Sequence, residues 1–179
     1  MKNLVDRELV AQAAAGQSEA FSAIVRAHYD AIYRTAWRWV GSREDAEDVA
    51  QNVCISLAKA IRSFRGEAEF STWLFRLTYN ASLDFLRSRK RAGRSKEPEV
   101  VVLFEGRAAA SAEADAIENE LWDEVRSLPG QQRDAVLLVY AEDMSHADAA
   151  LVMGCSEKTV SWHLHEARKR LKTRLQEVS

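Results

Sequence analysis

Between Ile61 and Arg91 the chain reads IRSFRGEAEFSTWLFRLTYNASLDFLRSRKR. This sets Phe64, Phe70, Trp73, Phe75, Tyr79 and Phe85 among Arg62, Arg65, Arg76, Arg87, Arg89, Lys90 and Arg91, with Glu67, Glu69 and Asp84 as the opposing acids. Aromatic faces interleaved with cations are the groups that hold unstacked bases and their phosphates. The same residues also suit a helix whose aromatics are core and whose arginines are solvated, so order along the chain has to decide. A second cationic stretch runs from Lys158 to Arg174, where Lys158, Arg168, Lys169, Arg170, Lys172 and Arg174 are opposed only by Glu166. An acidic cluster, Asp45, Glu47 and Asp48, would suit carboxylate-assisted hydrolysis. No Ser, His or Cys nucleophile pattern accompanies it, and acids are ordinary in the first turns of a helix. Cys54 and Cys155 lack CxxC or His/Cys zinc spacing, which points to buried reduced thiols, and His163 with His165 cannot share one metal from one helical face. The expectation is therefore no catalytic residue, no metal and no cofactor.

The elements that must position these groups are helical. Apolar residues make up 47% and charged residues 29% of 179, with seven Gly and two Pro, the composition of a helix-rich globular protein with room for one large domain or two small ones. No apolar run approaches a membrane span, and Asp6, Arg7 and Glu8 interrupt the N-terminus where a signal peptide would be apolar, so a cytoplasmic protein with no membrane insertion is expected. The net charge of −2 hides a segregation. From Glu97 to Glu124 the only base is Arg107, so an acidic middle precedes the basic end.

In order, Asp6 is placed as the N-cap of a short helix through Leu9, Val10, Ala13 and Ala14, closed by Gly16. A second helix starts at Ser18 and carries an apolar stripe of Phe21, Ile24, Val25, His28, Ile32, Tyr33, Ala36, Trp37 and Val40, to Gly41. His28 is read as a packed core-edge residue with no chemistry. Ser42 caps the third helix, whose inward set is Ala46, Val49, Ala50, Val53, Ile55, Leu57 and Ala58, leaving carboxylates and the amides Gln51 and Asn52 outside. Phe64-Arg65-Gly66 reads as a loop, with Ser71 or Thr72 capping a helix from Trp73 to about Arg91. There Leu74, Leu77, Ala81 and Phe85 face inward and Arg76, Tyr79, Asn80, Asp84 and Arg87 lie on other faces. Residues 93–113 read as an acidic flexible linker, able to dock through Val100, Leu103 and Phe104. A helix from about Ala112 to Leu128 follows, with Ile117, Leu121, Trp122 and Val125 at helical spacing. Pro129-Gly130 ends it and a helix from Gln131 to Ala141 comes next. Finally Ser145 caps a short helix, Gly154 makes a tight turn, and Ser156 caps a third helix with Val160, Leu164, Ala167 and Leu171 inward. That pattern is a helix-turn-helix, with Lys158, Ser161, Trp162, His165 and Arg168 turned outward. The fold class expected is all-α: two small helical domains joined by a flexible linker, the C-terminal one a helix-turn-helix.

With both units in view, the chain resembles a group IV (extracytoplasmic-function, ECF) sigma factor of bacterial RNA polymerase over nearly its whole length. Asp45-Ala46-Glu47-Asp48-Val49-Ala50-Gln51 resembles the region 2.2 signature. The resemblance implies that this helix, through Asp45, Glu47, Asp48, Gln51 and Asn52, binds the clamp coiled coil of the polymerase β′ subunit. Phe64-Arg65-Gly66 followed by Phe70, Thr72, Trp73-Leu74, Arg76 and Asn80 resembles regions 2.3 and 2.4, which melt the minus-10 element and capture a flipped base; the contacts this implies are Phe64, Arg65, Gly66, Phe70, Ser71, Thr72, Trp73, Arg76, Asn80 and Arg87. Leu128-Pro129, Arg133, Gly154, Thr159-Val160 and Ala167-Arg168 resemble region 4, which reads the minus-35 element; the contacts this implies are Lys158, Thr159, Ser161, Trp162, His165 and Arg168. The resemblance divides the chain into 1–92 (region 2), 93–113 (linker) and 114–179 (region 4). The partners it implies are core RNA polymerase (β′ clamp and β subunit), promoter DNA and an anti-sigma factor, which would hold the protein at the membrane where it is itself membrane-bound. Recognition helices of the family often carry basic residues where this chain has Ser161, His163 and Glu166; Trp162 and His165 would supply apolar and hydrogen-bonding contacts instead.

Two alternatives stay open from the residues. One is a free-standing helix-turn-helix regulator whose N-terminal unit senses a ligand or dimerises. The more distant one is a hydrolase using the Asp45, Glu47 and Asp48 cluster. A ligand sensor has no reason to combine cations and aromatics from Phe64 to Asn80.

Overall fold

The computed structural model describes residues 2–67, 69–92 and 121–177, and among them every regular element is helical. They fall into two units, one formed by the helices up to residue 92 and one by residues 121–177. The expected linker, the run Val100 to Phe104 and Ile117 lie outside the described residues. No helix among the described residues is long and apolar enough to cross a membrane.

The first unit consists of α1 (Lys2–Ala14), α2 (Ser18–Val40), α3 (Arg43–Ala60), a 3-10 turn (Ile61–Ser63) and α4 (Phe70–Arg91). Because α1 begins at Lys2, Asp6 lies inside the helix rather than capping it. Gly41 closes α2 in the left-handed region at φ 74°, its N–H donating to the Trp37 carbonyl. Ser42 caps α3 as expected, its hydroxyl accepting from the Asp45 N–H at 3.3 Å. The core joins Ile24, Ile32 and Ala36 of α2 to Ala46, Val49, Val53 and Leu57 of α3 and to Phe70 and Leu74 of α4. Two expected inward positions of α3 are outside: Ile55 and Ala58 are exposed, because the buried series Ala46, Val49, Val53, Leu57 advances by three and four residues and neither falls on it.

On α2 the deeply buried tryptophan is Trp39, with Trp37 only partly covered. Two tryptophans flank one stripe, and periodicity alone does not choose between them. Trp39 meets Tyr79 edge-on at 5.5 Å and Phe75 at 6.2 Å. Tyr79 is therefore core, against its expected outward placement. The inward ladder of α4 is Phe70, Leu74, Thr78 and Ser82. Thr78 donates to the Leu74 carbonyl at 3.0 Å and Ser82 to the Thr78 carbonyl at 2.9 Å, so both hydroxyls enter the core already bonded.

The second unit holds a helical segment at 121–126 (α5), α6 (Gly130–Val136) continuing into a π-helical turn (Leu137–Ala141), α7 (His146–Met153) and α8 (Glu157–Glu177). The expected single helix from Gln131 to Ala141 is thus an α segment that widens, with the Glu142 N–H reaching back five residues to the Leu137 carbonyl at 3.0 Å. Leu121 is exposed rather than inward, while Val125 and Leu128 are buried. The helix-turn-helix forms as read. Ser145 accepts from the Asp148 N–H and Ser156 from the Thr159 N–H, both at 3.1 Å, and Gly154 adopts φ 67°. Val160, Leu164 and Ala167 are buried.

Because Trp39 is 1% exposed and braces two aromatics of α4, Trp39→Ala should lower the unfolding free energy of the protein by about 3–5 kcal/mol. Trp37→Ala should cost distinctly less, and urea titration followed by far-ultraviolet circular dichroism would rank them.

Candidate nucleic-acid interface

The loop between α3 and α4 is built on an aromatic floor. Phe64 packs at 5.5 Å from Phe70 and 5.2 Å from Trp73, Phe70 lies 5.7 Å from Trp73, and His28 of α2 meets Phe70 edge-on at 5.5 Å. Gly66 turns the chain at φ 72°, where a side chain would meet open space but a strained backbone. Arg7 of α1 reaches Glu69 at 3.5 Å across the loop's end. Beneath the loop is a cleft of about 350 Å³ lined by Val10, His28, Phe64, Arg65, Phe70 and Ser71 among others.

The residues expected here separate by depth. Arg65, Gly66, Ser71, Thr72, Arg76, Asn80 and Arg87 are exposed, and Phe64 and Trp73 are half-buried. Phe70 is 6% exposed and is a floor residue, a correction to its expected place as a nucleic-acid contact. Ser71 and Thr72 do not cap α4: the helix already begins at Phe70 with Glu69 before it, which frees both hydroxyls at the surface of the first turn. Thr72, Arg76 and Asn80 recur every four residues, one outward stripe continuous with the loop. Arg87 pairs with Asp84 at 3.1 Å. His28, to which sequence reading assigned no chemistry, lines the cleft; only the fold brings it beside the loop.

On α3 the acids are not equivalent. Asp45 is half-buried and bonded to Arg89 of α4, whose guanidinium also lies 5.9 Å from the Phe85 ring centre. Glu47 pairs with Arg43 at 3.1 Å. The free outward face consists of Asp48, Gln51 and Asn52 with the exposed Ile55. Asp45 therefore ties α3 to α4, and Ile55 is a surface residue that sequence reading had placed in the core. A strict four-residue register through Val49, Val53 and Leu57 would have found it. Cys54 and Cys155 are half-buried free thiols, less enclosed than expected, and burial pushes the Cys54 thiol up, which keeps it protonated at neutral pH.

On α8, Lys158, Ser161, Trp162, His165 and Arg168 are exposed and Thr159 is half-buried. Trp162 is 56% exposed. His146 Nδ1 of α7 lies 3.1 Å from Ser161 Oγ, which ties the start of α7 to this face. Arg168 donates to the hydroxyl of Tyr140. His163 is buried, with its ring against Trp162, so it is not part of the outward face. No group of three or more His, Cys, Asp or Glu among the described residues could hold a metal.

A basic helix-turn-helix in one unit and a cation-fringed aromatic loop in the other are arrangements suited to binding nucleic acid. The sigma-70 region 2 family matches residues 24–92 and the sigma-70 region 4 family matches residues 118–171. The chain is 36% identical over 166 residues to the ECF RNA polymerase sigma factor SigM of Mycobacterium tuberculosis, covering 93% of this chain and 82% of that one. It is 31% identical to the RNA polymerase sigma-H factor of Pseudomonas aeruginosa, covering 96% and 94%. A solved structure of CnrH in complex with the cytosolic domain of CnrY aligns with a TM-score of 0.69 at 28% identity, covering 97% of this chain and 99% of that one. The chain belongs to the ECF RNA polymerase sigma factors, proteins that bind core RNA polymerase and direct it to promoters.

The two acids of α3 can be separated by experiment. Asp45→Asn should lose about 1 kcal/mol of stability by breaking a half-buried pair. Asp48→Asn should leave the unfolding midpoint unchanged and weaken association with core polymerase, read by fluorescence anisotropy of the labelled protein.

Proposed function

We propose that the loop and the outward stripe of α4 hold the opened minus-10 strand, that the exposed face of α3 docks on the polymerase clamp, and that the outward face of α8 reads the minus-35 duplex. The observation that carries this reading is the cleft beneath Phe64, Arg65 and Gly66. Its roughly 350 Å³ lies at the small end of ligand sites, about 300–1,000 Å³, suited to one extruded base. Half-buried Phe64 offers a ring at its wall, Ser71 a hydroxyl and Arg65 a cation, the groups a flipped base and its phosphate require. The stripe Thr72, Arg76 and Asn80 continues outward from the cleft and gives the neighbouring nucleotides polar and cationic partners. Phe70 and Tyr79 act from within, holding the loop and the stripe in place.

The polymerase-docking surface is narrower than the acidic cluster: Asp48, Gln51, Asn52 and Ile55, with Glu47 at its edge. An isoleucine centred among amides and an acid fits a helical partner carrying cations around an apolar seam. On α8, Lys158, Thr159, Ser161, Trp162, His165 and Arg168 form the minus-35 surface. The domains remain 1–92 for polymerase and minus-10 binding, 93–113 for an acidic linker and 114–179 for minus-35 binding. The protein acts in the cytoplasm as a binding subunit with no catalysis of its own, and an anti-sigma factor controls it, as the similarity to CnrH, solved in complex with the cytosolic domain of CnrY, suggests.

Run-off transcription with core polymerase tests this directly. Template-specific initiation should require the chain. Arg65→Ala with Asn80→Ala should cut open-complex formation by roughly tenfold to a hundredfold, the worth of one or two stacked or bonded bases at about 1–3 kcal/mol each. A template already unpaired at minus-10 should restore most of the loss. Trp162→Ala with His165→Ala should weaken minus-35 use and leave polymerase binding intact; unchanged promoter selection by that double variant would remove the α8 assignment. Tight binding to duplex without polymerase, and no effect on initiation, would favour a free-standing regulator.

A further inference from the structure

Tyr140 sits on the π-helical turn, 53% exposed, at the flank of α8. Its hydroxyl oxygen accepts from the Arg168 guanidinium, whose carbon lies 5.7 Å from the ring centre. Arg168 is itself exposed and pairs with no carboxylate among the described residues. The partner's chemistry matters. A carboxylate would hold the guanidinium and cancel its charge; a phenol holds it and leaves the positive charge whole, while the ring face adds a cation–π attraction. Each guanidinium has five donors, so one bond to Tyr140 leaves the others for a ligand. Tyr140 lies on the π turn, the kind of local widening that recurs at functional sites, and from there reaches Arg168 of α8.

Arg168 lies eleven residues beyond Glu157, about 16 Å along the helix axis. The first turns of a recognition helix meet base edges, so a cation this far along meets the sugar-phosphate backbone bordering the groove. We propose that Tyr140 is a positioning residue that pre-orders Arg168 to clamp a phosphate flanking the minus-35 element. The proposal rests on the reading of α8 as the minus-35 helix. The bond and the ring restrict a long, flexible cation on an open face before DNA arrives, so less freedom remains to be lost on binding. Clamping a phosphate also makes the contribution independent of base sequence.

The test is a double-mutant cycle on holoenzyme, assembled from core polymerase and full-length variants, binding promoter duplex over a series of salt concentrations. Arg168→Ala should lower affinity about tenfold, as loss of a charged hydrogen bond does. It should also flatten the dependence of log K on log salt by about 0.9, one phosphate. Tyr140→Ala should weaken binding nearly as far although Arg168 is still present. Tyr140→Phe, which keeps the ring and lacks the oxygen, should lose about threefold. The double variant Tyr140→Ala/Arg168→Ala should bind within about twofold of Arg168→Ala alone, since a positioning residue has nothing left to position. A double variant whose loss is the product of the two single losses overturns the proposal, as does an unchanged salt slope in Arg168→Ala. If Tyr140→Ala melts early, the same cycle run with Tyr140→Phe decides. Should Trp162→Ala/His165→Ala weaken minus-35 binding while Arg168→Ala does not, this proposal fails and the α8 reading stands. If neither change matters, the α8 reading fails and takes this proposal with it.

Discussion

Phe70, Leu74, Thr78 and Ser82 form a ladder with one rung per helical turn, and the loop and outward stripe of the N-terminal unit depend on how that ladder seats. Leu74, Thr78 and Ser82 are at most 3% exposed, against α2 and α3. Half of the ladder is hydroxylic, which would be costly in a core if the groups were unbonded; each instead donates to the carbonyl one turn back and brings its own partner with it. Short rungs also let the helices approach closely. Once this face is inside, the helical period leaves Thr72, Arg76 and Asn80 no choice but to face outward. Phe70 does double duty as the first rung and as the floor of the loop, so the loop's shape is fixed by the core rather than by bonds of its own.

What the sequence discloses depends on how many independent signals agree at a position. The helix-turn-helix was readable in detail because Ser145 and Ser156 mark caps, Gly154 marks a left-handed turn, and Val160, Leu164 and Ala167 mark a face; each is a separate physical requirement. The inner face of α4 was read only in part, since Thr78 and Ser82 look polar until their bonds to the helix's own carbonyls are seen, and Tyr79 looks like a partner for the arginines until Trp39 is placed against it. Ile55 and Ala58 erred the other way, since apolar type outweighed register. Asp6 was a plausible cap with no signal to show that the helix had already started. The π turn has no composition of its own: LLVYA reads as ordinary helix.

The acids of α3 show the limit of reading charge by type. Asp45 and Asp48 lie three residues apart and both suit the positive end of a helix dipole. Only the approach of Arg89, placed by α4, converts the first into a tie and leaves the second on the surface. That tie also gives one of the three cations in the last turn of α4 an internal partner, which reduces their mutual repulsion where the helix's own dipole already favours them. A surface defined by sequence as one acidic patch is thereby divided into a structural half and a half open to a partner.

In the second unit the same logic sorts the cations. Arg133 is covered and paired with Asp134 at 2.9 Å, and Arg126 is covered and paired with Asp123; the exposed Arg174, near the end of α8, also meets a carboxylate, Glu124, at 3.2 Å. Covered guanidinium groups receive carboxylates, as the cost of burying an unpaired charge demands. On the outward face of α8 the pattern reverses: Lys158 and Arg168 have no carboxylate among the described residues, and Arg168's partner is neutral. A near-neutral chain of net charge −2 therefore presents a locally uncompensated positive face. Attraction to a polyanion falls off within a Debye length, about 8–10 Å at physiological salt, so a local face of this kind outweighs the total charge in drawing one in.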